Sequence, residues 1–159
     1  MRQSGLRVQR QTLILRGSDC GQALLETALT LPLLALLLVG AVELGRVAYA
    51  SIAVSNAARA GAQYGAQNGG TAGDTTGISV AAANEAPNLT GLTTTSSYSC
   101  VCSDGTASDC SNAATDCPNS HIETIVVVKT QFAFNSLIHV PGIPAAFTLR
   151  GYASQKTLQ

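Results

Sequence analysis

The chain has 159 residues, nine Lys or Arg against nine Asp or Glu, and charged side chains at only 11% of positions. That balance excludes nucleic acid as the main partner, because phosphate binding needs a basic excess on one face. Aromatics at 4%, with no Trp, exclude a large aromatic core, and the length suits one domain with an appendage.

Residues 1–21 are polar and basic: Arg2, Arg7, Arg10 and Arg16 are opposed only by Asp19. Leu13-Ile14-Leu15 is the only apolar patch, too short for the core of a signal peptide. Cys20 follows Gly17-Ser18-Asp19, without the apolar run or the small preceding residue of a lipobox. It is expected to stay reduced in the cytoplasm and to leave with the leader.

Residues 22–43 predict a transmembrane helix. The stretch ALLETALTLPLLALLLVGAV, residues 23–42, contains one charge, Glu26. At 1.5 Å per residue it spans about 30 Å, the thickness of a bilayer's hydrocarbon core. Leu33 to Val39 is apolar on every face, which sets it apart from the one-sided helix of a soluble core. The basic flank puts the N-terminus in the cytoplasm and the C-terminal part outside. Pro32 removes one backbone hydrogen bond and predicts a local kink.

Residues 44–67 are rich in Ala and continue the helix beyond the membrane. Asn68-Gly69-Gly70 reads as its stop. Glu43 and Arg46 stand one turn apart at the far end of the span. They suit an ordinary i,i+3 surface pair or a register contact with an assembly partner, and the spacing does not choose between them.

Residues 68–159 predict a small exported α+β unit. Thr75 or Thr76 is expected to cap a short helix through Ala86, ended by Pro87. Leu92 to Tyr98 reads as a strand, residues 100–117 as an irregular stapled loop, and Ile122 to Phe134 as a central strand. Pro141 and Pro144 bracket a turn before a last strand, Ala146 to Ser154. The fold class is therefore α+β: a long N-terminal helix, transmembrane in its first half, with a small disulfide-stapled antiparallel sheet on its outer half.

Cys100, Cys102, Cys110 and Cys117 fall within this exported part. Four cysteines in an oxidising compartment predict two disulfides, with three possible connectivities. A Cys100–Cys102 ring would be very tight, which favours pairings that cross to Cys110 and Cys117. Zinc binding by these cysteines with His121 fits poorly, since C-x-C is shorter than the usual ligand spacing. With two histidines, His121 and His139, and no nucleophile or phosphate-loop motif, the sequence predicts neither an enzyme nor a cofactor.

The most informative stretch is Gly21-Gln22-Ala23-Leu24-Leu25-Glu26. A glycine followed five residues later by a glutamate, at the mouth of an apolar helix, is the prepilin processing pattern. Gly21 lets a protease approach its carbonyl closely, and cleavage would leave Gln22 with a free amine. A carboxylate in a membrane segment is costly and needs a partner. The Gln22 ammonium of a neighbouring subunit would supply one to Glu26; a position at headgroup depth, solvated, is the plainer alternative.

The stretch from Gly21 to Gln67 resembles the N-terminal region of the TadE-like family, pseudopilins or minor pilins of the tight-adherence (Flp) pilus system. The shared features are Gly21 and Glu26, Leu31-Pro32, Glu43-Leu44-Gly45-Arg46, and Asn56-Ala57-Ala58-Arg59-Ala60-Gly61-Ala62. Thr27 departs from the family, which usually has an aromatic there. The resemblance implies a prepilin peptidase, the major pilin, other minor pilins and an inner-membrane assembly platform as partners. Taken with the span and its basic flank, this places the chain in the inner membrane or the surface pilus, with Glu26, Pro32, Glu43 and Arg46 as candidate filament or assembly contacts. Two other readings share the span and the disulfides: a signal-anchored exported binding or adhesion domain that keeps residues 1–21, and a tip adhesin whose stapled loop is the contact surface.

Overall fold

The computed structural model describes residues 19–138 and 144–157. The chain divides into two compact units, Met1–Gly40 and Ala41–Gln159, and one helix, α1 (Asp19–Gly65), contributes to both. The leader expected over residues 1–21 falls mostly outside the described residues, as does Pro141 of the expected turn.

In the first unit, α1 exposes its apolar residues on every side. Leu24, Leu29, Leu34 and Leu38 are all at least 63% exposed, and the helix continues through Pro32. Such a surface is unstable in water and suited to lipid. Its two hydroxyls are turned inward: Thr27 Oγ1 donates to Ala23 O at 2.9 Å and Thr30 Oγ1 to Glu26 O at 2.9 Å. Back-bonding of this kind satisfies a hydroxyl without water.

The second unit is a four-stranded antiparallel sheet packed on the outer part of α1, as the sequence predicted. Its strands are β1 (Thr93–Cys102), β2 (Ala107–Ser108), β3 (Ile122–Asn135) and β4 (Ala146–Lys156), in the order β2-β1-β3-β4. The β-branched run of β3 takes an interior position, where a pleated and half-buried surface favours it. Thr124, Val126, Val128, Thr130 and Phe134 alternate towards the helix and are buried, while Lys129 and Gln131 face solvent.

The helix answers with small residues. Ala50, Val54, Ala57, Ala58 and Ala62 are buried, at the three- and four-residue spacing of one helical face. Gly65 and Gly151 let the backbones approach. A Cβ on Gly65 would lie 2.8 Å from Val126 Cγ1, and one on Gly151 only 2.5 Å from Val54 O. Two clusters result, one around Val54, Ala82, Leu89 and Phe134, the other around Ala62, Ile78, Val126 and Val128.

Several boundaries differ from the sequence reading. The helix stops at Gly65, and Asn68 is not its terminator. Asn68 caps the next single turn, α2 (Gly69–Ala72), through a reciprocal capping box with Thr71. An Asn before glycines serves either end of a helix, and here its side chain finds a free N–H ahead of it. Helix α3 (Thr75–Glu85) is capped by Asp74 rather than by a threonine. Asp74 Oδ1 accepts from Gly77 N at 2.9 Å, and its Oδ2 accepts from Tyr64 Oη at 2.8 Å. The carboxylate thus joins α1 to α3.

The window 100–117 is more regular than expected. Cys100 and Cys102 end β1; β2 pairs back onto β1; and α4 (Ala113–Asp116) adds one turn. Strand pairing overrides the local Gly, Asn and Asp content because β3 offers partners as far as Cys102↔Ile122.

Candidate functional site

Three groups of residues carry functional expectations, and the structure places each separately. The first lies at the start of α1. Gly21 and Gln22 occupy its first turn, with nothing among the described residues within 4 Å of where a Gly21 Cβ would sit. Glu26 is exposed one turn on, and Pro32 follows within the same apolar segment. These residues share one exposed helix and are not gathered into a pocket.

The second group is built around Glu43 and Arg46. Arg46 Nη1 donates to Glu43 Oε2 at 2.7 Å, with side chains 38% and 17% exposed respectively. The pair is more than an isolated surface bridge. Glu43 Oε1 also accepts from Leu137 N at 3.0 Å, across 94 residues of sequence. The Arg46 guanidinium sits over the Phe134 ring, 5.2 Å from its centroid, within the range of cation–π attraction. Phe134 in turn packs against Phe147 at 5.2 Å. Thus α1 is fastened to the end of the β3–β4 pair by one carboxylate and one guanidinium. Phe134 was singled out from sequence only as the end of the central strand and part of a family-like tail, Leu137 and Phe147 were not singled out, and no local pattern could have linked any of them to Glu43 at that separation.

Beside this clamp a cleft of about 310 Å³ is lined by residues that include Arg46, Tyr49, Asn88 and Phe132. Asn88 Nδ2 donates to Tyr49 Oη at 3.2 Å, both among its lining residues. Arg46, Tyr49 and Asn88 are engaged in the hydrogen bonds described above, and Asn135 also lines the cleft.

The third group is the stapled loop. The disulfides are Cys100–Cys110 and Cys102–Cys117, with Cα–Cα distances of 5.1 and 5.6 Å. Both cross to Cys110 and Cys117, as the tight C-x-C ring suggested they should. Thr124 Oγ1 contacts the Cys100 sulfur at 3.5 Å and must be the donor, since a disulfide sulfur carries no proton. With their thiols consumed, the four cysteines are not available as thiolate ligands. The loop's aspartates hold its turns. Asp104 Oδ1 accepts from Thr106 N at 2.9 Å, and Asp116 Oδ2 accepts from Ser108 Oγ and Asp109 N, both at 3.1 Å. Hydrogen bonds from Thr106 hold the Asp104 carboxyl below its usual range.

Residues 21–63 match the family model described as TadE-like protein. That segment is similar to TadE-like proteins. The match begins at Gly21 and takes in Gln22, Glu26, Pro32, Glu43 and Arg46 before ending two residues short of the end of α1. It leaves out the sheet and both disulfides. No curated protein and no solved structure matches the chain significantly. Among the described residues α1 is the one helix long and apolar enough to cross a membrane, in keeping with a membrane anchor.

Proposed function

We propose that this protein is a minor pilin or pseudopilin that takes part in assembling a tight-adherence (Flp) pilus for surface attachment. The observation that carries this reading is the TadE-like match over residues 21–63, which starts at Gly21 and runs along a helix whose apolar residues are uncovered. A prepilin peptidase would cut between Gly21 and Gln22. The mature chain would stay in the inner membrane, N-terminus inward, until extracted into a filament or used by the assembly platform. The disulfides suit the oxidising side of that membrane.

Within a bundle of such helices, Glu26 would face the new Gln22 ammonium of a neighbouring subunit. Breaking one half of a buried pair costs about 3–5 kcal/mol, enough to favour one axial stagger over others. Major and minor pilins are then the partners of the apolar helix face.

One observation favours a second reading. The Gly21–Gln22 peptide lies inside the first turn of α1, and a protease needs that turn opened. If it stays closed, the chain is a signal-anchored exported binding or adhesion domain. Intact mass and N-terminal sequencing of protein from its host's membranes separates the two. A chain beginning at Gln22 supports the pilin reading. A chain that retains residues 2–21 overturns it and leaves the anchored domain.

A further inference from the structure

The end of the exported unit that carries the Glu43–Arg46 clamp has an unusual surface. Leu44 is 73% exposed, Leu137 72% and Phe147 39%. Leu137 and Phe147 are held at one end of the unit: Leu137 gives its N–H to Glu43, and Phe147 packs on the phenyl ring beneath Arg46; Leu44, the residue after Glu43, stands at the same level of α1. Tyr49, 57% exposed, stands under two turns further along α1. Its hydroxyl accepts from Asn88.

The place of this cluster in the chain says what covers it. Val42 closes the apolar run and Glu43 is the next residue, so a helix that spans a bilayer delivers Glu43 to the boundary between lipid and water. The β3–β4 end bound to Glu43 is delivered to the same depth. An apolar fringe, then a paired cation and carboxylate, then a tyrosine, is the order of groups that an acyl boundary followed by headgroups accommodates. Glu43 is already paired with Arg46, and the three aspartates of the stapled loop lie elsewhere. Asp104, Asp109 and Asp116 belong to the stapled loop beyond the other end of β3, and Ile122 and Phe134 are roughly 40 Å apart at 3.3 Å per residue. An anionic headgroup layer would therefore meet Arg46 and not those carboxylates.

We infer that the exported unit has a second membrane contact besides its helix: the β3–β4 end, through Leu44, Leu137 and Phe147, rests in the outer interface of the bilayer. The acidic stapled loop then points away from the surface. This rests on the reading of α1 as a membrane span. The contact holds the unit in one orientation before assembly, and it is given up when the subunit leaves the lipid.

The chain has no Trp, so single tryptophans report without background. Leu137→Trp and Phe147→Trp report the proposed contact, Leu34→Trp the span, and Tyr98→Trp a point on β1 paired with Val126, eight residues along β3 from Phe134. Each full-length variant is placed in phosphatidylcholine–phosphatidylglycerol vesicles with brominated acyl chains. The expected result is blue-shifted, quenched emission at positions 34, 137 and 147, and solvent-like, unquenched emission at 98. Quenching at 34 without quenching at both 137 and 147 overturns the contact and leaves the span. Quenching at none of them overturns the span and the contact together. Equal quenching at 98 overturns the end-on placement, because the unit would then lie flat.

Discussion

The Thr130 hydroxyl donates a 2.8 Å hydrogen bond to the main-chain carbonyl of Val54, and both residues are fully buried. This bond fixes the sheet on the helix at one register. Gly151, the β4 partner of Thr130, makes room for it, since a Cβ there would fall 2.5 Å from both Thr130 Oγ1 and Val54 O.

Thr130→Val keeps the volume and loses the bond, so it is expected to cost about 1 kcal/mol. Gly151→Ala forces the strand off the helix and is expected to cost more, roughly 1–3 kcal/mol by overpacking. Denaturant unfolding of the detergent-solubilised chain, followed by circular dichroism, compares them. A smaller loss for Gly151→Ala would show that the backbones do not approach as described.

The disulfide pairing is open to a thiol count. Cys100→Ser with Cys110→Ser removes one bridge and leaves no free thiol beyond any from Cys20. Cys100→Ser with Cys117→Ser strands Cys102 and Cys110, adding two reactive thiols. Removing the Cys102–Cys117 bridge, whose ends are 15 positions apart in sequence, is expected to cost about 3 kcal/mol in the chain-entropy picture. Equal thiol counts in the two double variants would contradict the pairing.

Stability should fall at both extremes of pH through Tyr64 and Asp74. The Gly77 N–H, and then the Tyr64 hydroxyl, hold the Asp74 carboxyl below its usual value of 3.8. A depressed acid contributes stability above its unfolded pKa and loses it as pH falls through the folded value. The same bond to Asp74, and its charge, raise Tyr64 above 10.0. That contribution is complete below pH 10 and is lost as pH rises through the higher folded value. Melting temperature measured against pH should therefore fall below about pH 4 and above about pH 10, and Asp74→Asn should flatten both limbs. Unchanged limbs in that variant would remove the pair from the account.

Glu43→Gln weakens the hold on the Leu137 amide, because a charged acceptor is replaced by a neutral one. Faster hydrogen exchange at Leu137, with Val128 unchanged, is expected by nuclear magnetic resonance in micelles. Arg46→Lys keeps the charge but loses the planar stack on Phe134, and should loosen the same region. Exchange that stays at its original rate in both variants would mean the clamp does not secure the β3–β4 end.

Glu26→Ala separates processing from assembly. If Glu26 acts in the filament, the variant is still cut after Gly21 and pili are lost. Intact mass together with pilus counts by electron microscopy reads both. Normal piliation would return Glu26 to a solvated residue at the membrane surface.

Sequence by itself determined the elements whose signal is local. A 20-residue stretch with one charge, apolar on every face from Leu33 to Val39, read as a lipid-exposed helix rather than a one-sided core helix, and the Val-rich run of β3 read as a central strand. The crowding of Cys100 and Cys102 narrowed the pairing in the same way, through covalent geometry. The family segment was legible because Gly21, Glu26 and Pro32 lie on one continuous helix, where spacing in sequence is spacing in space. Tertiary structure alone decided the rest. Asn68 became a forward cap because a free N–H lay ahead of it, and β1 ran into the cysteines because β3 offered hydrogen bonds there. Glu43 met Leu137, and Thr130 met Val54, because the sheet folds back on the helix. Contacts across 94 and 76 residues leave no periodic trace in the chain, since their energy depends on packing of elements formed elsewhere.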